Sequence, residues 1–453
     1  MKQLFRGLCP LLLLMVVPAC SPAAPPVATN PTPSAPTAVP TSAPAPTVAP
    51  TSVPTTAPTS APGPTIPPTA ATANEVLLGS IYPLSGTLAT ESGMFNNGID
   101  LAVEQINSAG GVACLNGAKL RVEHADSQGQ PAVGAREAQR LIDAGAVALF
   151  GALQSSVTMS TTEVAEQAQV PYMVVGAPDD AILKQGLTYT FRVQPNQTQM
   201  VDSFLQHLLG LLTAQTEPIS TAVVLHEDSP FGTGFADVLK KRAPAQNIHI
   251  LDDISYTAAG LTDIAPLLDR ARALNPDPDI VIVIGRYTDS VLIAQTAASM
   301  KFAPPLMGLD DGAWSTPQFI TGLGDTASWY FNEMYTANPR NDKSQQVRDA
   351  YRARFGAEMP PQAIMAYQSV FVLHDALSRA CSLDHGKLRE ALAQTNYADH
   401  ILAYIGPITF DGSGQAADAR SLMLQVQNGA VAVVKPEDLA DAPIMFPPPQ
   451  TGP

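Results

Sequence analysis

The sequence predicts an α/β protein with two lobes, each built around a parallel β-sheet. Short runs of β-branched residues alternate with amphipathic helical segments along most of the chain. Several strand segments are apolar without interruption, which is typical of parallel strands covered by helices on both faces. Residues 75–446 are too many for one ordinary hydrophobic core and suit two.

The first half of the alternation begins at residue 76. The segment 76–81 has the composition of a strand and ends at the turn sequence Tyr82-Pro83-Leu84-Ser85-Gly86. Apolar residues at positions 99, 102, 103 and 106 share one helical face, and Gly110-Gly111 ends that helix. The same criteria predict strands at 120–124, 147–150 and 172–175, and helices at 132–143 and 156–169.

The alternation restarts after a strand at 189–193. Here the pattern predicts strands at 222–226, 248–254, 280–284, 306–308 and 403–410, and helices at 199–212, 235–242, 264–274, 290–300, 345–355, 362–380 and 387–394. The dipeptide Asn428-Gly429 separates β segments at 422–426 and 430–434, which predicts a hairpin.

The N-terminus has the features of a secretory signal. Lys2 and Arg6 precede an apolar run at 11–17, which is too short to span a bilayer as a helix. Cys20 follows the small residue Ala19, as in a bacterial lipobox, where the thiol is acylated and becomes the new N-terminus. We therefore expect a lipoprotein signal peptide at 1–19 and lipidation of Cys20. A plain secretion signal is the alternative.

The following segment cannot bury a core. Residues 21–74 carry no charge and contain 16 prolines among Thr, Ser, Ala and Val. Such a composition favours extended polyproline-like conformations over packing. We expect a disordered tether at 20–74, which would hold a globular module outside the cytoplasmic membrane.

The chain is acidic, with 25 Lys and Arg against 40 Asp and Glu and a net charge of −15. Removal of the signal takes away two cations and no acid, which leaves 23 cations and a net charge of −17. This charge argues against nucleic acids and anionic lipid surfaces as partners.

No catalytic motif stands out in the sequence. It has no G-x-S-x-G elbow, no P-loop, no complete dinucleotide fingerprint and no metal-ligand spacing. His226-Glu227-Asp228 carries reactive groups, but it ends an apolar strand, where polar residues normally begin a loop. We therefore predict neither an enzyme nor a cofactor or metal.

Polar residues instead follow the strands of both halves. Ligands of open α/β sheets bind at the carboxyl ends of the strands, so these residues are candidates for a cleft. They are Ser85, Ser155, Ser156, Gly176, Phe231, Arg286, Tyr287, Asp310 and Asp311. For each one taken singly, a helix cap or a core position is the alternative.

These residues lie within a pattern that resembles the type I periplasmic binding proteins of the branched-chain amino acid class, the solute receptors of ABC importers. The resemblance covers 75–434 and rests on the order of several short motifs. They are Ile81–Gly86, Asn107–Gly111, Asp126-Ser127, Gly151–Ser156, His226-Glu227-Asp228, Phe231–Gly234, Leu306–Gly308, Gly406-Pro407 and Phe410-Asp411 with Gly414.

The resemblance implies two Rossmann-like lobes around a ligand cleft, with three crossovers of the chain between them. It implies a first lobe of 75–195 and 333–408, a second lobe of 196–332 and 409–434, and a C-terminal tail at 435–453. Cys114 and Cys381 would then lie in the same lobe. Since the compartment is oxidising, we expect them to form a disulfide, with two isolated thiols as the alternative.

The resemblance also implies roles for the cleft residues. Ser155, at the start of a helix, would hold a ligand carboxylate together with groups at the next strand end, near Gly176. Tyr287 and an acid, Asp310 or Asp311, would hold an α-ammonium, because a buried ammonium needs an anionic partner.

Three departures from the family pattern bear on the ligand. Pro178 replaces a threonine, Phe231 replaces a tyrosine, and Glu91 stands where an aromatic residue usually lines the side-chain pocket. With Asp311 beside Asp310, these changes predict a ligand with an extra polar or cationic group rather than leucine, isoleucine or valine.

The resemblance implies a lipid-anchored, non-enzymatic receptor for an amino acid or related small polar solute. Its partners would be the permease and ATPase subunits of an ABC importer, and it would be a monomer. A sensing module of similar fold, which reports its ligand to a signalling protein, is the alternative.

Overall fold

A computed structural model describes residues 75–213, 215–258 and 261–448 of the 453-residue chain. The expected signal peptide at 1–19, Cys20 and the expected tether at 20–74 lie outside these residues, as does the end of the expected tail. Within the described ranges, no helix is both long and apolar enough to cross a membrane.

Strands and helices alternate through most of the described chain. The strands are β1 Glu75–Tyr82, β2 Lys119–Asp126, β3 Ala148–Ala152, β4 Tyr172–Val175, β5 Thr190–Arg192, β6 Thr221–Glu227, β7 His249–Tyr256, β8 Ile280–Ile284, β9 Leu306–Leu309, β10 Phe331–Met334, β11 Asn396–Tyr397, β12 Ile408–Thr409, β13 Leu422–Gln427 and β14 Ala430–Lys435. The helices are α1 Ala89–Ser108, α2 Pro131–Asp143, α3 Ser155–Gln167, α4 Gln197–Leu208, α5 Pro230–Arg242, α6 Ala265–Arg272, α7 Tyr287–Ser299, α8 Pro317–Leu323, α9 Asp342–Phe355, α10 Pro361–Ala380 and α11 His385–Ala393.

The first lobe is built on a five-stranded parallel sheet in the order β2-β1-β3-β4-β5. Its strands carry buried apolar residues on both faces. One face packs on α1 and α10, and the other packs on α2 and α3. This arrangement confirms the prediction of a parallel sheet between two layers of helices.

The second lobe contains a seven-stranded sheet in the order β14-β13-β10-β9-β8-β6-β7. Strands β10, β9, β8, β6 and β7 are parallel, and β13 and β14 add an antiparallel hairpin at one edge. The all-apolar β8 lies inside this sheet and is completely buried. At the hairpin turn, Asn428 and Gly429 both have positive φ (52° and 75°), as a type I′ turn requires.

Local sequence signals place the ends of several helices. Prolines stand in the first turns of α2, α5, α8 and α10, where the missing N–H costs no hydrogen bond. Asn196 and Gln199 form a reciprocal capping box at the start of α4. The site described below depends on such helix starts, because α3, α5 and α7 all begin at the cleft.

The chain passes between the two lobes three times. It leaves the first lobe between β5 and α4, returns between β10 and α9, and leaves again between β12 and β13. The expected boundary at 332–333 falls inside β10 and that at 408–409 inside β12, so connections just after these strands fit the sheets better.

Three segments differ from the sequence expectations. The predicted strand at 403–410 is wrong for most of its length, since within it β12 pairs with β11 and Phe410 forms a single bridge with Ala416. Gly406 has φ +74° and Pro407 lacks an amide donor, so the ladder cannot continue through them. The sequence patterns also missed α8, which is only seven residues long, and β10, whose buried polar residues Asn332 and Glu333 conceal a strand pattern.

Candidate functional site

A cleft between the lobes brings together the residues that follow β3, β6 and β8. A cavity of about 130 Å³ lies there, with Ser155 and Ser156 on the first-lobe side and Glu227, Arg286 and Asp289 on the second-lobe side. The two lobes also touch directly. The Gln362 side chain donates a hydrogen bond of 3.3 Å to the carbonyl oxygen of Gly312.

The N-terminus of α3 forms one wall of this cavity. Gln154 precedes the helix without a side-chain capping bond, and Ser155 is its first residue. The Ser155 hydroxyl is buried and has no hydrogen-bond partner among the residues that the structure describes. Because the first amides of a helix are unpaired and carry partial positive charge, an anion fits here. Ser155 is therefore not the N-cap of α3, the alternative considered for it.

Arg286 lies opposite this helix, at the carboxyl end of β8. Its guanidinium carbon is 3.7 Å from the centroid of the Phe231 ring, and its Nε is 3.7 Å from Glu227 Oε1. Phe231 is itself buried and packs edge-to-face on Phe235. Stacking on an aromatic face supports a cation that has lost most of its water. The sequence analysis noted only that Phe231 lacks the hydroxyl of the tyrosine it replaces. In the structure, the Arg286 guanidinium stacks on the Phe231 ring.

Sequence reasoning noted Arg286 after its strand but gave the anchoring role to its neighbour Tyr287. The Tyr287 amide faces the Glu91 carboxylate, while its side chain is partly buried against the second-lobe core. The useful signal was an arginine directly after a fully apolar strand, a position that places a cation at the cleft edge of the sheet.

The two adjacent aspartates have different surroundings. Asp311 accepts hydrogen bonds from the amides of Ala313 (2.8 Å) and Trp314 (3.1 Å) and from the Ser290 hydroxyl. Burial raises the pKa of Asp311 to about 7. These bonds mean that the Asp311 carboxylate is occupied in holding its own loop.

Asp310 has no comparable donors among the described residues. It adopts a left-handed conformation with φ +52°, uncommon outside glycine, and is buried. Burial raises the pKa of Asp310 strongly, and Arg286 opposes this effect. The expectation left Asp310 and Asp311 open as ligand-binding acids; the hydrogen bonds favour Asp310.

Glu91 projects from α1 of the first lobe to the second lobe. It is 3% exposed, and its Oε2 has no hydrogen-bond partner within residues 75–213, 215–258 and 261–448. A Cβ at Gly312 would lie 2.9 Å from Glu91 Oε1, so only glycine leaves room for this carboxylate. Burial raises the pKa of Glu91, while Arg286, Gln362 and the Tyr287 amide oppose the shift.

Asp289 adds a further acid in the first turn of α7. Burial and the neighbouring Glu227 raise the pKa of Asp289 to about 6, against the effect of Arg286. The hydroxyl of Tyr256, nearby in the same lobe, is buried without a hydrogen-bond partner. Among the described residues at this cleft, acids therefore outnumber the one arginine.

The remaining candidates are Gly176, Ser85 and His226. Gly176 has φ +107°, and its amide donates to the Gln194 side chain, so this amide is engaged within the first lobe. Ser85 is exposed and hydrogen-bonds to Asp126, outside the cavity lining. His226 is held by Asp253 (2.9 Å) and by the carbonyl of Glu227 (2.7 Å), which explains its position without a catalytic role.

The cysteines lie next to each other in the first lobe. Cys114 and Cys381 are free thiols here, with the Cys381 sulfur 3.2 Å from the carbonyl oxygen of Cys114. Their disulfide stays a prediction. In the described part of the chain, no group of three His, Cys, Asp or Glu side chains has the arrangement of a metal site.

Comparisons with known proteins agree with this fold. A family model described as periplasmic binding protein matches residues 75–430. A Leu/Ile/Val-binding protein homolog 8 of Brucella abortus is 27% identical over 390 residues, which cover 83% of this chain and 94% of that protein.

Two solved structures show the same fold. The substrate-binding protein LivJ of Streptococcus pneumoniae, in complex with isoleucine, has a TM-score of 0.67 at 23% identity and covers 80% of this chain and 100% of its own. A solute-binding protein of R. palustris in complex with benzoate has a TM-score of 0.68 at 17% identity, over 80% of this chain and 96% of its own.

Proposed function

The chain belongs to the periplasmic binding protein family, and on this premise we propose that it is the solute receptor of an ABC importer, with an amino acid or a related small polar solute as its ligand. The solute would bind in the cleft, and closure of the lobes would bury it. The protein would act as a monomer without enzymatic activity, and its partners would be the importer's permease and ATPase subunits.

One observation carries this proposal, the presence at one cleft of donors that suit a carboxylate and of buried acids that suit an ammonium. The unpartnered Ser155 hydroxyl at the start of α3 lies on the same cavity as Arg286. Helix amides, a hydroxyl and a guanidinium are the donors that a carboxylate needs. Asp310 provides the anion that a buried ammonium needs. A zwitterion matches both.

The relatives support the carboxylate half of this assignment. The LivJ complex contains isoleucine and the R. palustris complex contains benzoate. These two solutes share a carboxylate, whereas only isoleucine has an α-ammonium. We infer that Ser155 and Arg286 provide the general part of recognition and that Asp310 selects for an amine.

The location outside the cytoplasmic membrane follows from the family and from the N-terminal sequence. The apolar run at 11–17 and Cys20 support acylation, and residues 21–74 are long enough to hold the lobes away from the membrane. Labelling with a radioactive or clickable palmitate tests this part. A Cys20→Ala variant should lose the label and leave the membrane fraction.

Isothermal titration calorimetry tests the ligand class. The titrants would be neutral, acidic and basic α-amino acids, a diamine, and benzoate as a carboxylate without an amine. We expect binding of at least one α-amino acid class. Binding of benzoate alone would refute the amine half of the assignment, and binding of none of these solutes would refute the proposed ligand class.

A further inference from the structure

We propose that the solute carries a second cationic group, as lysine, ornithine or arginine does, and that Glu91 binds this group while Asp310 binds the α-ammonium. This inference rests on the proposed function and specifies the substrate class of the same cleft.

The first argument is the state of the Glu91 carboxylate. It is 3% exposed, its Oε2 has no hydrogen-bond partner among the described residues, and it lies against Gly312 of the opposite lobe. The Gln362 side chain, the Tyr287 amide and the charge of Arg286 favour the ionised carboxylate, but burial still raises the pKa of Glu91, so these contacts compensate only partly for the water that the charge has lost. A ligand cation between the lobes would provide the missing partner.

The second argument is the balance of charge around the cleft. Glu91, Asp289 and Asp310 each have a pKa that is raised by burial and by at least one neighbouring acid, and Arg286 opposes the shift in all three. Arg286 is already stacked on Phe231 and lies 3.7 Å from a Glu227 oxygen. One engaged guanidinium cannot neutralise the remaining acids.

The third argument compares solutes by their charge. A neutral α-amino acid brings one positive and one negative group, so it leaves the excess of acids unchanged. A basic amino acid adds one net positive charge. Its carboxylate would lie at Ser155 and Arg286, its α-ammonium at Asp310, and its side-chain cation would reach Glu91 from the interior of the closed cleft.

Matched pairs of solutes isolate this second cation. Lysine and norleucine have side chains of the same carbon number and differ in the terminal ammonium, as ornithine and norvaline do. Calorimetry on the purified protein should give at least a tenfold tighter Kd for one basic member than for its neutral partner. A charge-assisted hydrogen bond in a buried site corresponds to about 10-fold to 100-fold in affinity.

Glu91→Gln keeps the size of the side chain and removes its charge. We expect this variant to bring the lysine-to-norleucine or ornithine-to-norvaline ratio close to one, with little effect on the neutral solute. Glu163→Gln, an exposed position on the same α3 that carries Ser155, is the matched control and should keep the original ratio. Thermal melting without ligand would verify that both variants are folded.

The outcomes separate the inference from the proposed function. If norleucine or leucine binds as tightly as every basic amino acid tested, the inference is wrong and the proposed function stands. If Glu91→Gln is folded and keeps the full preference for a basic solute, Glu91 is only a contact between the lobes. If no amino acid binds at all, the proposed ligand class and the inference both fail.

Discussion

At the scale of single residues, the cleft separates side chains that support the protein from side chains that remain available. Asp311 and His226 have their hydrogen bonds satisfied by neighbours. Ser155 and Glu91 each have a buried oxygen without a partner. Buried polar groups in folded proteins are nearly always paired, so unpaired atoms that also lie at the cleft are candidates for contact with a ligand.

Ser155→Ala should weaken binding of the cognate solute by about 1–3 kcal/mol, the cost of losing a hydrogen bond to a charged group. Stability should change little, because the Ser155 hydroxyl has no hydrogen-bond partner in the described part of the chain. Calorimetry with the best solute and thermal melting without it measure the two effects. An unchanged Kd would remove Ser155 from the carboxylate site.

Asp310→Asn should reduce the affinity for an α-amino acid by about 2–5 kcal/mol, since it leaves a buried ammonium without its counter-charge. The α-hydroxy analogue of the same solute has no ammonium and should be affected far less. Equal losses for the two solutes would contradict the role of Asp310 as the ammonium anchor.

Asp311→Asn is the control for Asp310→Asn, because it changes the neighbouring carboxylate. Because Asp311 accepts two loop amides and a serine hydroxyl, this change should lower the free energy of unfolding by about 1–3 kcal/mol. The relative affinities for the amino acid and its hydroxy analogue should stay as they are. Chemical denaturation and calorimetry together test this assignment, and a selective loss for the amine would contradict it.

Sequence reasoning found part of this site and missed the rest for physical reasons. Ser155 was recognisable because it follows a predicted strand and stands at the start of a predicted helix. The distinction between Asp310 and Asp311 depends on the positive φ of Asp310, which directs the two carboxylates differently. The contact of Glu91 with Gly312 joins segments more than 200 residues apart, and no local pattern records it.

At the scale of secondary structure elements, the period of apolar residues predicted most strands and helices because both sheets are buried between helices. It failed where polar residues are buried or where the backbone is unusual. Glu333 in β10 is completely buried, and its contacts with His207 and Ser421 compensate for the water it has lost. A strand in the core can therefore contain an acidic residue. At 403–410, Gly406 and Pro407 outweigh the apolar composition.

One prediction belongs to this scale, a covalent link between two elements of the first lobe. Cys114 lies in a short 3-10 helix, and Cys381 caps the C-terminus of α10. Both thiols are exposed and adjacent, so oxidation should join them. The bridge should stabilise the oxidised protein by about 2–4 kcal/mol through loop closure, and reduction should lower its melting temperature.

Mass spectrometry of the alkylated protein, before and after reduction, measures this link directly. Cys114→Ser should match the melting temperature of the reduced native protein and show no further change on reduction. Complete alkylation of both thiols in protein isolated from its oxidising compartment would contradict the bridge.

At the scale of the whole molecule, the notable property is that closure of two lobes brings acids of both into one buried region. Glu91 comes from the first lobe, whereas Glu227, Asp289, Asp310 and Asp311 come from the second. The three connections between the lobes fix which residues meet there. Burying these charges therefore destabilises the closed form. Protonation of the acids or binding of a cationic solute should stabilise it.

The last prediction concerns the stability of the ligand-free protein as pH changes. The pKa of Asp289 is raised to about 6, by burial and by Glu227 against Arg286, and that of Asp311 to about 7, by burial and by Glu91 against its hydrogen bonds. In the unfolded chain both ionise near their ordinary value of about 3.9. Between about pH 4 and 7 these two acids thus hold more protons in the folded protein, and their contribution makes stability fall as pH rises. The raised pKa of His207, next to Glu333, acts in the same direction near pH 6.5 and above. Burial lowers the pKa of His374 and of His385, which acts in the opposite direction below about pH 6.5.

Melting temperatures between pH 4 and 8 measure this effect, and we expect a decrease across the range. Asp289→Asn should flatten the profile below pH 6, whereas Asp143→Asn, an exposed position at the end of α2, should leave it unchanged. Exposed carboxylates paired with arginine, such as Glu358, have a lowered pKa and act in the opposite direction, but mainly below pH 4.5 and under solvent screening. Identical pH profiles for the native protein and for Asp289→Asn would mean that ionisation of Asp289 in the folded protein has no cost. Because a basic solute would provide the missing positive charge, saturating amounts of it should reduce the decrease, which links the acid cluster of the empty cleft to the solute that closes it.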